Sequence, residues 1–273
     1  MARFPRISVR YYLPFILSGF VVSAALTGTA ADPADAATAA KRIADLRQNL
    51  QSPDAKVRLA AIGSLVHSDL SAAMFADMQT ALKDNDGKVR ETAATATGNL
   101  GAAAVPAVPQ LIAQLEKDSV KEARETAARA LGRIGKAAPA ERSMMEPLKA
   151  AAAKDADPVT RVVALGALSM LDDDVPARIT ALRKHLHHDE PLVRMKASHA
   201  LGMLGTVAKA AGPEIVKVLE QETDSHRRGY IARALGSTGD PASLPALQAA
   251  LEKETDPNAQ GEMRGAIQRL SGK

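Results

Sequence analysis

The segment Asp86–Gly101, which reads DGKVRETAATATGNLG, decides the fold of this chain. Nearly the same phrase returns as EARETAARALGRIG at Glu122–Gly135, as VRMKASHALGMLG at Val193–Gly205 and as RRGYIARALGSTG at Arg227–Gly239. A catalytic centre needs one constellation of unlike side chains, whereas a phrase repeated at a regular interval is typical of repeat architecture. The sequence therefore predicts an array of stacked structural units.

The arginine of the phrase sets the repeat length. Alignment on it gives Arg58, Arg90, Arg124, Arg161, Arg194 and Arg228, with a degenerate seventh copy centred on Gln260. Intervals of 32 to 37 residues separate these positions, as in helical hairpins stacked into a solenoid. Apolar residues recur around each arginine at the spacing of one helical face, and a second amphipathic segment precedes each phrase. We therefore predict an all-α fold, an α-solenoid of about seven hairpins, in which the six arginines are structural.

Each phrase also carries signals for the start and end of a helix. Aspartates suited to capping free backbone amides, and prolines suited to the first turn, precede the arginines at Asp54, Asp86, Asp157, Asp224, Asp256, Pro158, Pro191 and Pro257. An acidic residue four positions before the arginine allows an ion pair within the helix. Glycines eight residues after the arginine (Gly98, Gly132, Gly202, Gly236) let helices approach closely, and a second set (Gly101, Gly135, Gly205, Gly239) suits the helix ends.

The amino terminus has the layout of a secretory signal. Three arginines precede an uncharged run whose apolar centre is LPFILSGFVVSAAL, and small residues follow before Asp32. We predict a signal peptide over residues 1–30, a repeat domain over residues 31–273, and a periplasmic or extracellular location. A retained membrane anchor is the alternative, since flanking residues extend the run toward the roughly 20 residues that span a bilayer.

The composition excludes several classes of function. Removal of the leader lowers the formal charge from +4 to +1 and leaves Phe75 and Tyr230 as the aromatic residues, so nucleic-acid binding is not predicted. The chain has no cysteine, which excludes disulfides and thiol catalysis. No hydrolase, zinc-protease or phosphate-loop motif occurs, and no cofactor is predicted. The histidines of HLHHDE (His185, His187, His188) and the acidic run Asp172, Asp173 and Asp174 are interpreted as solvated surface rather than metal sites.

The phrase D-x-x-V-R-x-x-A-x-x-A-L-G-x-L-G, clearest at Asp86–Gly101, resembles the HEAT-like repeat of the phycobilisome-lyase type. The resemblance extends from about Ile43 to the carboxyl end. Such families include scaffolds, bilin lyases and an iron-dependent deoxyhypusine hydroxylase. The resemblance to the hydroxylase implies iron ligands in His-Glu dipeptides, and this sequence has none, because His188 is followed by Asp189. A bilin lyase is expected in the cytoplasm, which conflicts with the predicted leader.

Positions that the repeat leaves free indicate where a partner binds. The resemblance implies that the second helix of each hairpin lines a concave side, and on that helix the positions one, five and nine residues after the arginine point away from the buried face. The predicted binding residues are Arg129, Arg133, Val162, Met170, Met195, His199, Met203 and Arg233. Methionines are pliable apolar contacts at such surfaces. The alternative is that the curvature of the solenoid buries the methionine row in the core.

These features predict an exported, non-enzymatic scaffold that holds a protein or peptide of the cell envelope on its concave face. Two alternatives remain open. One is a metal-binding or metal-dependent protein with a soft metal at Met195, His199 and Met203. The other is a HEAT-repeat enzyme of the lyase or oxidoreductase kind.

Overall fold

The computed structural model describes residues 33–171 and 174–272, so the predicted signal peptide and its possible role as an anchor lie outside the described residues. Within them the chain forms fourteen α-helices and no strand, which confirms the predicted α-solenoid of seven hairpins. The helices are α1 Pro33–Leu50, α2 Ala55–Ser64, α3 Phe75–Ala81, α4 Gly87–Asn99, α5 Val108–Lys117, α6 Lys121–Ala137, α7 Met145–Lys154, α8 Pro158–Leu168, α9 Val175–His185, α10 Pro191–Met203, α11 Gly212–Gln221, α12 Ser225–Thr238, α13 Leu244–Lys253 and α14 Pro257–Ser271. Short 3₁₀ helices cover Gly101–Ala107, Gly205–Ala211 and Pro241–Ser243.

Consecutive helices form hairpins, and the even-numbered helices stack on one another along the array. Each even helix carries the repeat phrase, and its apolar face is fully buried at residues such as Val89, Ala93 and Ala96. Odd-numbered helices make fewer contacts with one another, so they form the outer layer. The even-numbered helices therefore line the concave side. No helix in residues 33–171 or 174–272 has the length and apolar character needed to cross a bilayer.

The predicted start signals are confirmed. Side chains of Asp54, Asp86, Asp157, Asp224 and Asp256 accept hydrogen bonds from backbone amides of the first turn, and Pro158, Pro191 and Pro257 lie in that turn. Of the glycines expected at helix ends, Gly101, Gly205 and Gly239 have positive φ angles of 56°, 64° and 66°, which L side chains adopt only with strain. The prediction is wrong for Gly135, because α6 continues through it to Ala137.

The even-numbered helices are called the inner helices below, and the odd-numbered ones the outer helices. The repeat arginines brace the loops that precede the inner helices. Each donates its Nη1 to the backbone carbonyl six residues earlier, and Gln260 Nε2 keeps the same bond in the seventh unit. Four arginines also form an ion pair with a carboxylate in the next unit. Two hydrogen bonds join Arg58 to Asp84, Arg90 to Asp118 and Arg124 to Asp155, and one joins Arg228 to Glu254. The arginines thus join neighbouring units as well as closing their own loops.

The predicted partner of each arginine was partly wrong. The acids that the arginines bind lie two residues before the helix caps. The capping aspartates Asp86, Asp157 and Asp256 accept hydrogen bonds from backbone amides instead. The expected ion pair within the helix does not form at Arg58, Arg90 or Arg228, because the side chain turns back toward the loop and binds an acid of the next unit. At Glu254 the bound guanidinium of Arg228 lowers the pKa of the carboxyl to about 2. The pair is therefore fully ionised at neutral pH.

Close contact between inner helices depends on glycine and alanine. A Cβ added at Gly98, Gly132, Gly202 or Gly236 would lie 2.8 to 2.9 Å from the Cβ of an alanine on the next inner helix. The four alanines are Ala130, Ala167, Ala234 and Ala266, each six residues after the aligned arginine or, in the seventh unit, after Gln260. This recurring pair sets the separation of adjacent inner helices.

Candidate functional site

The junction between the fourth and fifth units departs from the repeat in two ways. His188 occupies the position where the other loops carry the acid, so Arg161 has no carboxylate partner among the described residues. Ser169 replaces the glycine eight residues after the arginine, and Ala200 instead faces Gly166, whose added Cβ would lie 3.3 Å away. The packing of α8 on α10 is therefore different, and the buried apolar residues form two clusters that meet at α8.

A cavity of about 740 Å³ opens on the concave side at this junction. Helices α6, α8, α10 and α12 line it, and Gly166 of α8 contributes no side chain to the lining. All eight residues predicted from the sequence lie in its lining: Arg129, Arg133, Val162, Met170, Met195, His199, Met203 and Arg233. We call this cavity the concave groove.

The exposure predicted for part of this row is wrong. Val162 is fully buried and Met195 is 8% exposed, whereas Met203 is 49% exposed. The residues two positions after the arginine, Val163 and Lys196, also line the groove, as does the equivalent Tyr230. Counted from the arginine, positions two, five and nine lie on one face of the helix. Position one lies beside that face, on the side that is buried. Sequence spacing alone did not reveal this small rotation of the inner helices.

The groove combines an apolar floor with a basic rim. Its lining contains Arg129, Arg133, Lys196, Arg227 and Arg233 against a single acid, Asp224, which caps α12. Arg133 contacts Asn99 and has no carboxylate partner in the described ranges. Burial and the neighbouring Arg129 lower the pKa of Arg133, as expected for a cation that lacks a counter-ion. The lining therefore favours an anionic ligand with apolar surface.

Three aromatic rings lie beside these cations. Tyr230 makes edge contacts with His199 and His226, at ring-centroid distances of 6.4 and 4.8 Å, and the guanidinium of Arg233 lies 4.7 Å from its ring centroid. Burial, followed by the charges of Arg233, Lys196 and Arg129, lowers the pKa of His199 to about 4. The imidazole is therefore neutral at physiological pH, and it can both donate and accept a hydrogen bond.

An ion pair between distant units lies at one edge of the groove. Lys196 Nζ on α10 is 2.8 Å from Glu125 Oε1 on α6, although α8 lies between these helices. The same carboxylate oxygen accepts a hydrogen bond from Arg129. We call this three-residue contact the clasp. It connects the third unit with the fifth, and its single carboxylate is shared by two of the five basic groups of the lining. Arg227 and Arg233 pair with Glu222 and Glu262, so Arg133 is the basic group of the lining without a carboxylate partner among the described residues.

Other candidate sites carry less chemistry. A depression of about 1070 Å³ near the first two units contains charged groups that are already paired, Arg47 with Asp77 and Arg58 with Asp84. In the described part of the chain no three His, Cys, Asp or Glu side chains converge as metal ligands. His188 Nδ1 accepts the amide of Glu190, and Asp174 caps α9, whereas Asp172 and Asp173 lie outside the described residues.

Known families match this architecture over most of the chain. The pattern of the HEAT repeats fits residues 43–132, 108–202 and 145–229, which overlap and together exceed half of the sequence. The chain belongs to the HEAT-repeat family. Within this HEAT-repeat protein, residues 227–253 match the PBS lyase HEAT-like repeat, so the resemblance noted in the sequence is confirmed. Among curated protein sequences, none matches the chain.

The solved structures that resemble this HEAT-repeat protein include the following two. One is the complex of CpcE and CpcF of phycocyanin lyase from Nostoc sp. PCC7120, with 25% sequence identity, a TM-score of 0.51, and coverage of 90% of this chain and 99% of the matched chain. The other is human deoxyhypusine hydroxylase, with 20% identity, a TM-score of 0.41, and coverage of 89% of this chain and 100% of the hydroxylase. The second likeness extends to the fold alone.

The likeness to phycocyanin lyase corrects two predictions. The predicted non-enzymatic scaffold is wrong, and so is the prediction that the HEAT-repeat protein is not an enzyme, because the structure that matches 90% of it is a lyase. Its helices α12 and α13 also match a lyase repeat. The non-enzymatic prediction rested on the absence of short catalytic motifs. That reasoning failed because a groove can promote a reaction by holding reactants together, without such a motif. The lyase alternative is the one that these matches favour.

Proposed function

We propose that this chain has a lyase-type role in phycobilin attachment, with the concave groove as its ligand site and a second protein as its partner. The observation that carries the proposal is the match to phycocyanin lyase, which extends over 90% of this chain. The solved lyase is a complex of two proteins, and this supports a protein partner here. The chain has no cysteine, so any thiol that accepts a chromophore would belong to that partner.

The chemistry of the groove suits an open-chain tetrapyrrole. Such a ligand has a long conjugated apolar surface, carboxylate side chains and pyrrole N–H groups. Met170 and Met203 offer soft apolar contacts, and the basic rim offers partners for the carboxylates. The neutral imidazole of His199 is placed to accept a hydrogen bond from an N–H group of the ligand. These residues would bind and orient the chromophore before its transfer.

Binding of biliverdin, an open-chain tetrapyrrole with two carboxylates, tests the proposal. We expect the purified protein to change the absorption spectrum of biliverdin, and Met203→Glu to weaken binding about tenfold, because the new charge faces the apolar surface of the ligand. Met203 is half exposed, so the melting temperature should change little.

Val207→Glu is the matched control for this variant. Val207 is 67% exposed, follows α10 in the chain and does not line the groove. The control introduces the same charge at a nearby exposed apolar position, and we expect it to leave binding unchanged. Absence of any spectral change with the unmodified protein would contradict the proposed function, and equal weakening by both variants would place the ligand outside the groove.

Export is a separate proposal that rests on the amino-terminal leader alone. We expect the mature chain to begin near Ala31 or Asp32, because small residues precede that point. The intact mass of protein recovered from the periplasm or medium measures it, and a mass that still includes residues 1–30 would contradict cleavage. If export occurs, the protein partner would be a component of the cell envelope or of the exterior.

A further inference from the structure

The clasp holds a carboxylate against two basic residues of the groove lining. Glu125 shares one carboxylate oxygen between Lys196 and Arg129, both of which line the groove, whereas Glu125 itself does not. Its side chain is 16% exposed and that of Lys196 is 23% exposed. The contact is therefore mostly buried, with limited access for water. A carboxylate held by two basic groups at the edge of a basic cavity has the chemistry of a bound anionic ligand.

The clasp differs from the other ion pairs between units. Arg58, Arg90, Arg124 and Arg228 each bind a carboxylate in the adjacent unit, at the loops that precede the inner helices. Lys196 instead reaches past the fourth unit, over the concave side of α8, to a residue 71 positions away. Lys196 makes one hydrogen bond to Glu125, whereas Arg124 binds both oxygens of Asp155, so the lysine pair gains less than the two-pronged arginine pairs and is more easily exchanged.

We propose that Glu125 is a specificity-determining residue of the groove: it substitutes for a ligand carboxylate on Lys196 and Arg129, and a carboxylate of the ligand displaces it on binding. This inference rests on the proposed function and deepens it, since it assigns one ligand carboxylate to the α6–α10 edge. Ligands without a carboxylate gain nothing from displacing Glu125, so the clasp selects dianionic over neutral tetrapyrroles. Arg133, at the opposite end of α6 and free of an acid among the described residues, is available for the second carboxylate.

The test compares biliverdin with its dimethyl ester, which keeps the conjugated chain but lacks both negative charges. Glu125→Gln frees Lys196 and Arg129, and we expect it to bind biliverdin about tenfold more tightly while its affinity for the ester stays the same. Lys196→Met removes one of the freed cations, and we expect it to bind biliverdin about tenfold more weakly than the unmodified protein, again with no change for the ester.

Glu146→Gln is the matched control, because Glu146 pairs with Lys149 on the exposed surface of the outer helix α7. It removes the same charge and also breaks a lysine pair, and we expect no change with either compound. If the unmodified protein binds neither biliverdin nor its dimethyl ester, the proposed function is overturned together with this inference. Binding of both compounds that Glu125→Gln leaves unchanged, or strengthens equally, would overturn the inference alone. Melting curves of each variant verify that the fold is retained.

Discussion

Arg124→Ala is expected to lower the free energy of unfolding by about 3–5 kcal/mol. Arg124 donates Nε and Nη2 to the two oxygens of Asp155, both at 2.9 Å, and Nη1 to the carbonyl of Asp118 at 2.9 Å. The side chain of Asp155 is only 7% exposed. Loss of the guanidinium leaves this carboxylate largely buried without its counter-ion, and that uncompensated charge is the main cost.

Arg161→Ala is the matched control, because Arg161 occupies the same repeat position one unit later. It donates to the carbonyls of Asp155 and Ala156 but has no carboxylate partner among residues 33–171 and 174–272. We expect a smaller loss of about 1–2 kcal/mol, from the carbonyl bonds alone. Urea denaturation followed by circular dichroism measures both variants. Equal losses would mean that the arginines act through their loop carbonyls and that the pairs between units add little.

Gly132→Ala is expected to lower stability by about 1–3 kcal/mol, even though alanine is the better helix former. The added Cβ would lie 2.8 Å from the Cβ and 2.9 Å from the Cα of Ala167 on α8. The second of these atoms belongs to the backbone, so the helices themselves must separate. The resulting strain extends to Met170, whose methyl group lies 2.8 Å from the same position.

Gly261→Ala makes the same change where there is room for it. Gly261 lies inside α14, is exposed, and an added Cβ would meet nothing within 4 Å. We expect this control to raise stability by about 0.5–1 kcal/mol, because alanine loses less backbone freedom on folding. Thermal melts of the two variants should therefore shift in opposite directions. A stabilised Gly132→Ala would show that the inner helices are not held at this separation by glycine.

The fold was largely predictable because every unit repeats the same local signals. Aspartate caps such as Asp86 and first-turn prolines such as Pro158 act within a few residues, so they can be identified from spacing alone. The partners of the arginines could not be identified in this way. Asp118 and Asp155 lie 28 and 31 residues from the arginines they bind, and next to Asp155 the sequence offers the capping Asp157 as an equally plausible acid.

The groove residues were predicted from helical geometry, but the surface that they form was not. All eight lie around one cavity, because corresponding faces of the inner helices come together when these helices stack. The burial of Val162 and Met195 depends on how far each helix is rotated, which sequence spacing does not specify. The clasp was missed for a related reason, since a contact between the third and fifth units depends on the curvature of the whole array.

The irregular junction between the fourth and fifth units affects the cooperativity of folding. In a repeat array each unit is stabilised by its neighbours, and cooperativity is lowest where an interface lacks its usual contacts. Here the carboxylate for Arg161 is absent from the described residues, and the apolar core divides into two clusters. A ligand in the groove contacts both sides of this junction, and its binding free energy adds to their coupling. Binding would thus turn two loosely linked halves into one cooperative unit.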